Sequence, residues 1–234
     1  MSIFSYHIVQ TSLFNAIQFR LQTKKLYQIQ GLIDFEWMTE MELDSPIYSL
    51  KRFNFTTIIL FAQWENEEAI QQFLQHHPIG KIIDQGWSIH MGMIRKWGNY
   101  KRFHSENTTD NYPINQPIIG FTIADMAITQ IPRFIRWGKP VEALVKNHPN
   151  CLFSTASIRF SKTISTFSIW KNEKAMADMV NGHSKVDAPK RHLNAMKERE
   201  HQDFYTQFST FRFYPIAEYG TLNGKQILNN SIQR

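Results

Sequence analysis

One ten-residue pattern occurs twice in this chain and limits its possible folds more than any other feature. The pattern F-x-x-W-x-N-E-x-A-[IM] begins at Phe61 and begins again 106 positions later, at Phe167. In both copies an alternating, strand-like run leads into apolar residues at helical spacing. A match of this length at the same strand-to-helix junction indicates an internal duplication. We therefore predict that the two halves of the chain share one fold.

The elements predicted around the two copies follow the order β-α-β-β-α-β, the ferredoxin-like arrangement. An antiparallel sheet with helices on one face leaves its other face apolar, and a second half can cover that face. We therefore predict an α+β chain of tandem ferredoxin-like repeats that form a pseudo-dimeric α+β barrel. Strands are predicted at 4–9, 34–43, 55–64, 88–97, 118–124, 152–160, 164–170 and 211–213, with helices at 12–27, 65–75, 129–145, 171–180 and from about Pro189 onwards.

The duplication also predicts where the halves begin and end. Residues 1–105 form an N-terminal ferredoxin-like half, a polar linker follows at 106–117, and residues 118–220 form the C-terminal half before a mobile tail at 221–234. Past Gln75 the first half has no clear counterpart of the segment R-H-L-N-A-M in the second half. We therefore expect the second half to carry the functional site.

Charge and composition narrow the classes of function. The chain has 26 Lys and Arg against 20 Asp and Glu, and the resulting net charge of +6 favours anionic surfaces such as phospholipid. The basic residues are dispersed, so nucleic-acid binding is not predicted. The single cysteine, Cys151, excludes an internal disulfide and a cysteine-based zinc site. Without a leader-like N-terminus or an apolar run of about 18 residues, we expect a cytoplasmic protein that contacts at most the inner face of a membrane peripherally.

Common catalytic motifs are missing, which leaves one histidine as the main candidate. The nine histidines form no HExxH pattern, and the sequence has no P-loop, dinucleotide loop or Gly-x-Ser-x-Gly. His192 lies one helical turn from Met196, and Phe204 is expected in the same helical register. A neutral histidine that projects from a helix into an apolar cavity is the usual proximal ligand of haem iron. A histidine on a helix flank, bonded to solvent, is the alternative.

Arg212 is the second candidate, because its two neighbours in sequence are aromatic. On a strand its side chain faces away from Phe211 and Phe213, and a guanidinium there can bind a propionate or a substrate carboxylate. An ordinary exposed arginine fits the same pattern. Trp64 and Trp170 are predicted to close the strand-to-helix corners as core residues. The predicted cofactor-binding residues are therefore His192, Arg212, Met196 and Phe204, with His192 as the metal ligand.

Several segments of the second half resemble one family. The order F-S-I-W-K-N-E-K-A-M-A, R-H-L-N-A-M-K-E-R, F-R-F-Y-P and G-T-L-N-G is similar to that of the spheroidene monooxygenases of carotenoid biosynthesis, as is the segment 131–137. The likeness covers about 100 residues well and the first half loosely. One departure concerns the approach to His192, where the family has a short glycine-rich segment. Here nine residues separate Gly182 from His192.

The resemblance implies a haem b protein that inserts oxygen into an acyclic, carotenoid-like polyene or isoprenoid. It also implies a ferredoxin-type electron donor and makes His192 the leading axial ligand. A haem-dependent dehydratase of the aldoxime-dehydratase type is an alternative that needs no external electrons. A non-enzymatic protein that binds an apolar ligand in the barrel cavity, without a metal, is a third. The sequence leaves the substrate and the oligomeric state open.

Overall fold

A computed structural model describes residues 2–21, 26–45, 49, 52–104, 112–113, 115–160 and 162–228 of the 234 residues. Most of the predicted linker and the end of the predicted tail lie outside these residues. The elements in chain order are β1 (Ile3–Gln10), α1 (Leu13–Leu21), β2 (Leu32–Met41), β3 (Phe53–Trp64), α2 (Glu67–His76), α3 (Pro78–Ile83), β4 (Trp87–Gly98), β5 (Ile118–Met126), α4 (Ile131–Lys146), β6 (Cys151–Arg159), β7 (Thr163–Trp170), α5 (Glu173–Val180), α6 (Arg191–His201) and β8 (Tyr205–Tyr219).

The eight strands form one closed antiparallel barrel, in the order β1-β3-β2-β6-β7-β5-β8-β4. Within each half the order is that of a ferredoxin-like sheet, β4-β1-β3-β2 in the first half and β8-β5-β7-β6 in the second. Equivalent strands of the two halves pair at both junctions. The β4–β8 junction runs from Ser88 to Gly98, whereas the β2–β6 junction joins only residues 39–41 to residues 156–158. The predicted α+β barrel of two ferredoxin-like repeats is confirmed.

The barrel interior is filled with aromatic side chains. Alternate residues of the strands point inwards, and their rings stack across the barrel, with centroids 3.9 Å apart for Tyr6 and Phe167 and 4.0 Å apart for Phe61 and Phe121. These rings belong to one buried cluster to which both halves contribute. The aromatic side chains of the barrel interior therefore form a packed core.

Two segments pack against the barrel core from outside the strands. Tyr100 and Phe103 belong to the core cluster, and Lys96 Nζ holds their loop by donating to the carbonyl oxygens of Tyr100 (2.7 Å) and Phe103 (3.3 Å). Residues 222–228 contribute Leu228, which is buried; the Glu218 carboxylate accepts its backbone N–H at 2.9 Å. The predicted tail thus contains at least one residue, Leu228, that packs against the barrel core.

The repeated pattern builds the same corner in both halves. Trp64 and Trp170 are completely buried, as predicted for core residues. Asn66 caps α2 by accepting the N–H of Ala69 at 2.9 Å, and Asn172 caps α5 in the same way at 2.9 Å. The glutamate after each asparagine reaches the last strand of its own half, where Glu67 bonds His90 and Glu173 pairs with Arg212. The pattern is therefore a capped strand-to-helix junction with a tie to the fourth strand.

Two predictions about helices need correction. The first half does contain a second helix after the shared corner, α3, capped by the His77 side chain at 3.2 Å. Helix α6 begins at Arg191 rather than near Pro189, and it ends at His201 because Gln202 is extended. Phe204 is therefore not in the helical register of His192. Within the described residues, no helix has the length and apolar character required to cross a membrane.

Candidate functional site: the open sheet face of the second half

The helix-facing side of the sheet can be compared between halves, because the strand registers are equivalent. In the first half, His7 lies opposite Leu60, and Leu60 lies opposite Trp37. In the second half, Thr122 lies opposite Thr166, and Thr166 lies opposite Ala156. Tyr6 and Phe61 of the barrel core are sequence neighbours of His7 and Leu60, and Phe121 and Phe167 are sequence neighbours of Thr122 and Thr166. The alternation of a strand therefore turns both rows towards the helices. The second half thus has short side chains where the first has large ones.

In the adjacent row the second half has the shorter residue at two of four positions, with Gly120 in place of Ser5 and Ser154 in place of Phe35. In the first half Ser5 lies between Ala62 and His90, and Phe35 follows on β2. In the second half Gly120 lies between Ser168 and Arg212, and Ser154 follows on β6. A Cβ atom on Gly120 would lie 3.1 Å from Met176 Sδ, so the glycine lets α5 approach the sheet closely. We call Gly120, Thr122, Thr166, Ser168 and Thr210 the second-half floor.

This difference in side-chain size determines how far solvent reaches the helix-facing side of the sheet in each half. His7, Leu60 and Trp37 are all buried, and Leu60 and Trp37 belong to a packed apolar layer beneath α1, α2 and α3. Thr166 is exposed although it lies on an interior strand of the sheet, and the other residues of the second-half floor are half-buried. Thr122 Oγ1 and Thr210 Oγ1 lie 3.2 Å apart and form a hydroxyl pair. The second half therefore presents an open, polar sheet surface where the first half is closed.

Helices α4 and α6 lie on this side of the barrel and pack against each other. Arg133 on α4 pairs with Glu198 on α6 at 2.7 Å, and its guanidinium lies 5.1 Å from the ring centroid of Phe204. Leu144 is the buried residue of α4, whereas its other apolar side chains stay half-buried. The apolar side of α4 is therefore less completely covered than that of α2, which buries three residues. The half-buried apolar residues of α4 are Ile131, Phe134, Ile135, Trp137, Val141, Ala143 and Val145.

His192 lies on the first turn of α6 and is half-buried. Its Nδ1 lies 3.2 Å from the carbonyl oxygen of Val180, the last residue of α5. Because a carbonyl can only accept, Nδ1 carries the proton, and the neutral ring keeps a lone pair on Nε2. Burial lowers the pKa of His192, although the bond to Val180 acts in the opposite direction. A neutral imidazole with its Nδ1–H held by a backbone carbonyl is the form in which histidine binds metals.

Arg212 faces away from Phe211 and Phe213, which are completely buried in the barrel, as predicted. Its guanidinium pairs with Glu173 and lies 4.9 Å from the ring centroid of Trp97. The arginine therefore borders the second-half floor beside Gly120 with its charge already engaged. A carboxylate ligand would have to share Arg212 with Glu173 or replace it.

The other two predicted residues differ in their surroundings. Met196 is half-buried on α6, one turn after His192. Phe204 is buried between α6 and β8, where its ring centroid lies 6.1 Å from that of Phe134. Within the described residues, no hydrogen bond or ion pair joins Arg212 to His192. The structure thus places His192 and Met196 on one helix, Arg212 on the sheet, and Phe204 in the packing between the helices.

The sequence analysis missed the second-half floor. Its signal is the 106-residue offset of the duplicated pattern, which aligns Leu60 with Thr166 and Ala62 with Ser168. In the first half the structure brings together two buried histidines, His7 and His90, whose ring centroids lie 6.1 Å apart. The described residues contain no group of three or more His, Cys, Asp or Glu side chains arranged to hold a metal ion.

Comparison with known proteins identifies the fold. No protein-family model matches the chain, and no curated protein matches it in sequence. An aldoxime dehydratase in complex with butyraldoxime aligns with a TM-score of 0.59 at 7% identity, over 99% of this chain and 86% of the other. A second aldoxime dehydratase gives 0.55 at 7% identity, over 92% and 81%. A monooxygenase-like protein from Listeria innocua covers 92% of this chain and 95% of its own at 13% identity, but its TM-score is only 0.30. This chain therefore shares the fold of the aldoxime dehydratases.

Proposed function

We propose that this protein is a haem-dependent monooxygenase that inserts oxygen into an apolar, acyclic polyene or isoprenoid substrate. The second-half floor and the helices α4 and α6 would hold haem b, and His192 would bind its iron. The observation that carries the proposal is the bond from His192 Nδ1 to the Val180 carbonyl, which leaves Nε2 as the free ligand atom. The sequence resemblance to the spheroidene monooxygenases supports the same reaction class.

The residues of the second half fit a flat group of this size and chemistry in two respects. Short side chains line the sheet where the first half has Trp37 and Leu60, so a planar ligand would meet fewer protruding atoms. Apolar side chains of α4 stay half-buried above, as expected of residues that contact an apolar ring or substrate. Haem, when bound, supplies the redox chemistry of oxygen activation.

The protein's own groups would bind and orient the reactants. His192 keeps its proton on Nδ1, where the Val180 carbonyl holds it, so the ring orientation is set before any ligand binds. Arg212 would bind a propionate in exchange for Glu173, and Met196 would add apolar contact. The hydroxyl pair of Thr122 and Thr210 would offer hydrogen bonds to polar atoms close to the sheet. Phe204 would support the helices through its contact with Phe134.

The overall reaction sets what the protein must be supplied with. Insertion of one oxygen atom from dioxygen, with release of the other as water, consumes two electrons and two protons. A ferredoxin-type donor would deliver the electrons, and the net charge of +6 would favour contact with an acidic protein of that kind. A strict requirement for dioxygen and a donor therefore follows from the proposal.

The second candidate is a haem-dependent aldoxime dehydratase, and the fold similarity over nearly the whole chain favours it. Loss of water from an aldoxime gives a nitrile without net transfer of electrons. Such an enzyme would convert butyraldoxime without dioxygen and without an electron donor. Anaerobic turnover of butyraldoxime by the haem-loaded protein would support the dehydratase, and oxygen-dependent and donor-dependent turnover of an acyclic carotenoid would support the monooxygenase.

The first experiment is an absorption spectrum of the purified protein after addition of haem. We expect a Soret band in the wild type, its loss or marked shift in His192→Ala, and its recovery when imidazole is added to the variant. His201→Ala, on the exposed end of the same helix, is the matched control and should keep the wild-type spectrum.

Two spectral outcomes would contradict the proposal. An unchanged spectrum in His192→Ala would exclude His192 as the ligand and direct the same test to His183 and His201. A wild type without a Soret band after haem addition would exclude both haem enzymes and leave a protein that binds an apolar ligand without a metal.

A further inference from the structure

Helix α1 exposes an apolar stripe on the surface of the first half. Leu13, Phe14, Ile17 and Leu21 are 53%, 68%, 46% and 79% exposed. At about 100° per residue these four positions fall within roughly 100° of the helix circumference, so they share one face. Large apolar side chains this exposed on successive turns of one helix mark an interaction surface rather than chance exposure.

The opposite side of α1 fixes the helix to the barrel. Ala16 and Phe19 are buried in the layer between the helices and the sheet of the first half. The Phe19 ring stacks on that of Trp37, with centroids 5.5 Å apart. The exposed stripe is therefore held at a defined position and does not need to unfold from the barrel to reach a partner.

The charge of this part of the chain points to the kind of partner. The first acidic residue of the sequence is Asp34, whereas Arg20, Lys24 and Lys25 precede it. An apolar helix face in a segment with three basic and no acidic residues matches an anionic bilayer, which offers an apolar interior beneath negative headgroups. A symmetric dimer is a poorer fit, because it would place the same basic segment on both sides of its interface.

We propose that α1 docks this protein on anionic membranes, with Leu13, Phe14, Ile17 and Leu21 inserted at the level of the headgroups. The inserted stripe supplies the apolar contact, and the net basic charge of residues 1–33 in the sequence supplies the attraction to negative lipid. This docking does not depend on haem, on His192 or on either reaction considered above. It gives the peripheral membrane contact expected from the net charge a specific place in the fold.

Vesicle flotation with the full-length protein tests this docking. We expect binding to vesicles of phosphatidylcholine and phosphatidylglycerol and little binding to phosphatidylcholine alone. The double variant Phe14→Ser and Leu21→Ser should bind at least about tenfold more weakly. Ile128→Ser is the matched control, because Ile128 is 70% exposed in the second half, and it should bind like the wild type. Lys24→Gln with Lys25→Gln should reduce the dependence on phosphatidylglycerol.

Three results would overturn the proposal. One is a wild type that does not float with anionic vesicles, and another is a double variant that binds as well as Ile128→Ser does. The third is a wild type that sediments as a dimer while Phe14→Ser and Leu21→Ser makes it monomeric, since the stripe would then contact a second copy. Circular dichroism and the thermal midpoint establish that each variant is folded, and Phe14→Ser and Leu21→Ser tested singly replace the pair if it is not.

Discussion

The buried His7 should make this protein sensitive to acid. His7 lies on β1 with no exposed surface, and neither of its ring nitrogens has a hydrogen-bond partner among the residues that the structure describes. Burial, and to a lesser degree the nearby His90, lowers the pKa of His7 from 6.5 to about 3. The folded protein therefore keeps this imidazole neutral at pH values where the unfolded chain binds a proton. The Glu67 carboxylate bonds the neighbouring His90 at 2.7 Å.

The size of the effect follows from the two pKa values. Because the pKa is lower in the folded state, the stabilisation is complete above pH 6.5 and is lost as the pH falls towards 3. At pH 5, about 1.5 units below the unfolded value, the unfolded state gains about 2 kcal/mol from protonation at roughly 1.4 kcal/mol per unit. The corresponding gain at pH 7 is only about 0.2 kcal/mol. Between pH 7 and pH 5, protonation of His7 alone should thus lower the free energy of unfolding by about 2 kcal/mol.

The test is to measure urea unfolding of the wild type and of His7→Leu at both pH values. Leucine occupies the same apolar layer without a titrating group, so the variant should lose about 2 kcal/mol less than the wild type between pH 7 and pH 5. Leu60→Ala is the control, because Leu60 lies opposite His7 on β3. It should lower stability by about 2–5 kcal/mol at both pH values without changing the difference between them. Parallel pH profiles for the wild type and His7→Leu would refute this reasoning.

Three further predictions concern the second-half floor and the repeated corner. Thr166→Trp fills the open sheet face, so we expect haem uptake in a spectroscopic titration to fall at least about tenfold while the free energy of unfolding changes by less than about 0.5 kcal/mol; normal uptake would place haem elsewhere. Asn66→Ala and Asn172→Ala each remove the same helix cap, so each should cost about 1 kcal/mol in urea unfolding, and a cost in only one half would contradict the equivalence of the corners. Glu173→Gln releases Arg212 from its ion pair, so haem should dissociate more slowly from this variant if Arg212 binds a propionate; faster or equal dissociation would argue against that role.

The sequence was sufficient for the fold because its strongest signals are local and repeated. The corner pattern at Phe61 and Phe167 combines strand alternation, a capping asparagine and a tryptophan, and each of these acts within a few residues of its neighbours. Two copies of this strand-to-helix corner predict two sheets of the same kind. Each sheet can then cover the apolar face that the other leaves without helices. The same alternation predicted that the Arg212 side chain faces away from Phe211 and Phe213.

The tertiary structure determined which residues from distant parts of the chain lie next to each other and which stay exposed. The sequence did not show that the aromatic residues would fill the barrel, that Leu228 would close against it, or that Thr166 would be exposed while Leu60 is buried. Each of these depends on pairing between strands far apart in the chain, which alternation within one strand does not encode. His192 is an example. Its place on a helix was predictable from the sequence, whereas the hydrogen bond from its Nδ1 to Val180, which leaves Nε2 without the proton, requires the end of α5 to lie beside the start of α6. Local patterns thus determined the elements, and the closed barrel determined which faces stayed open.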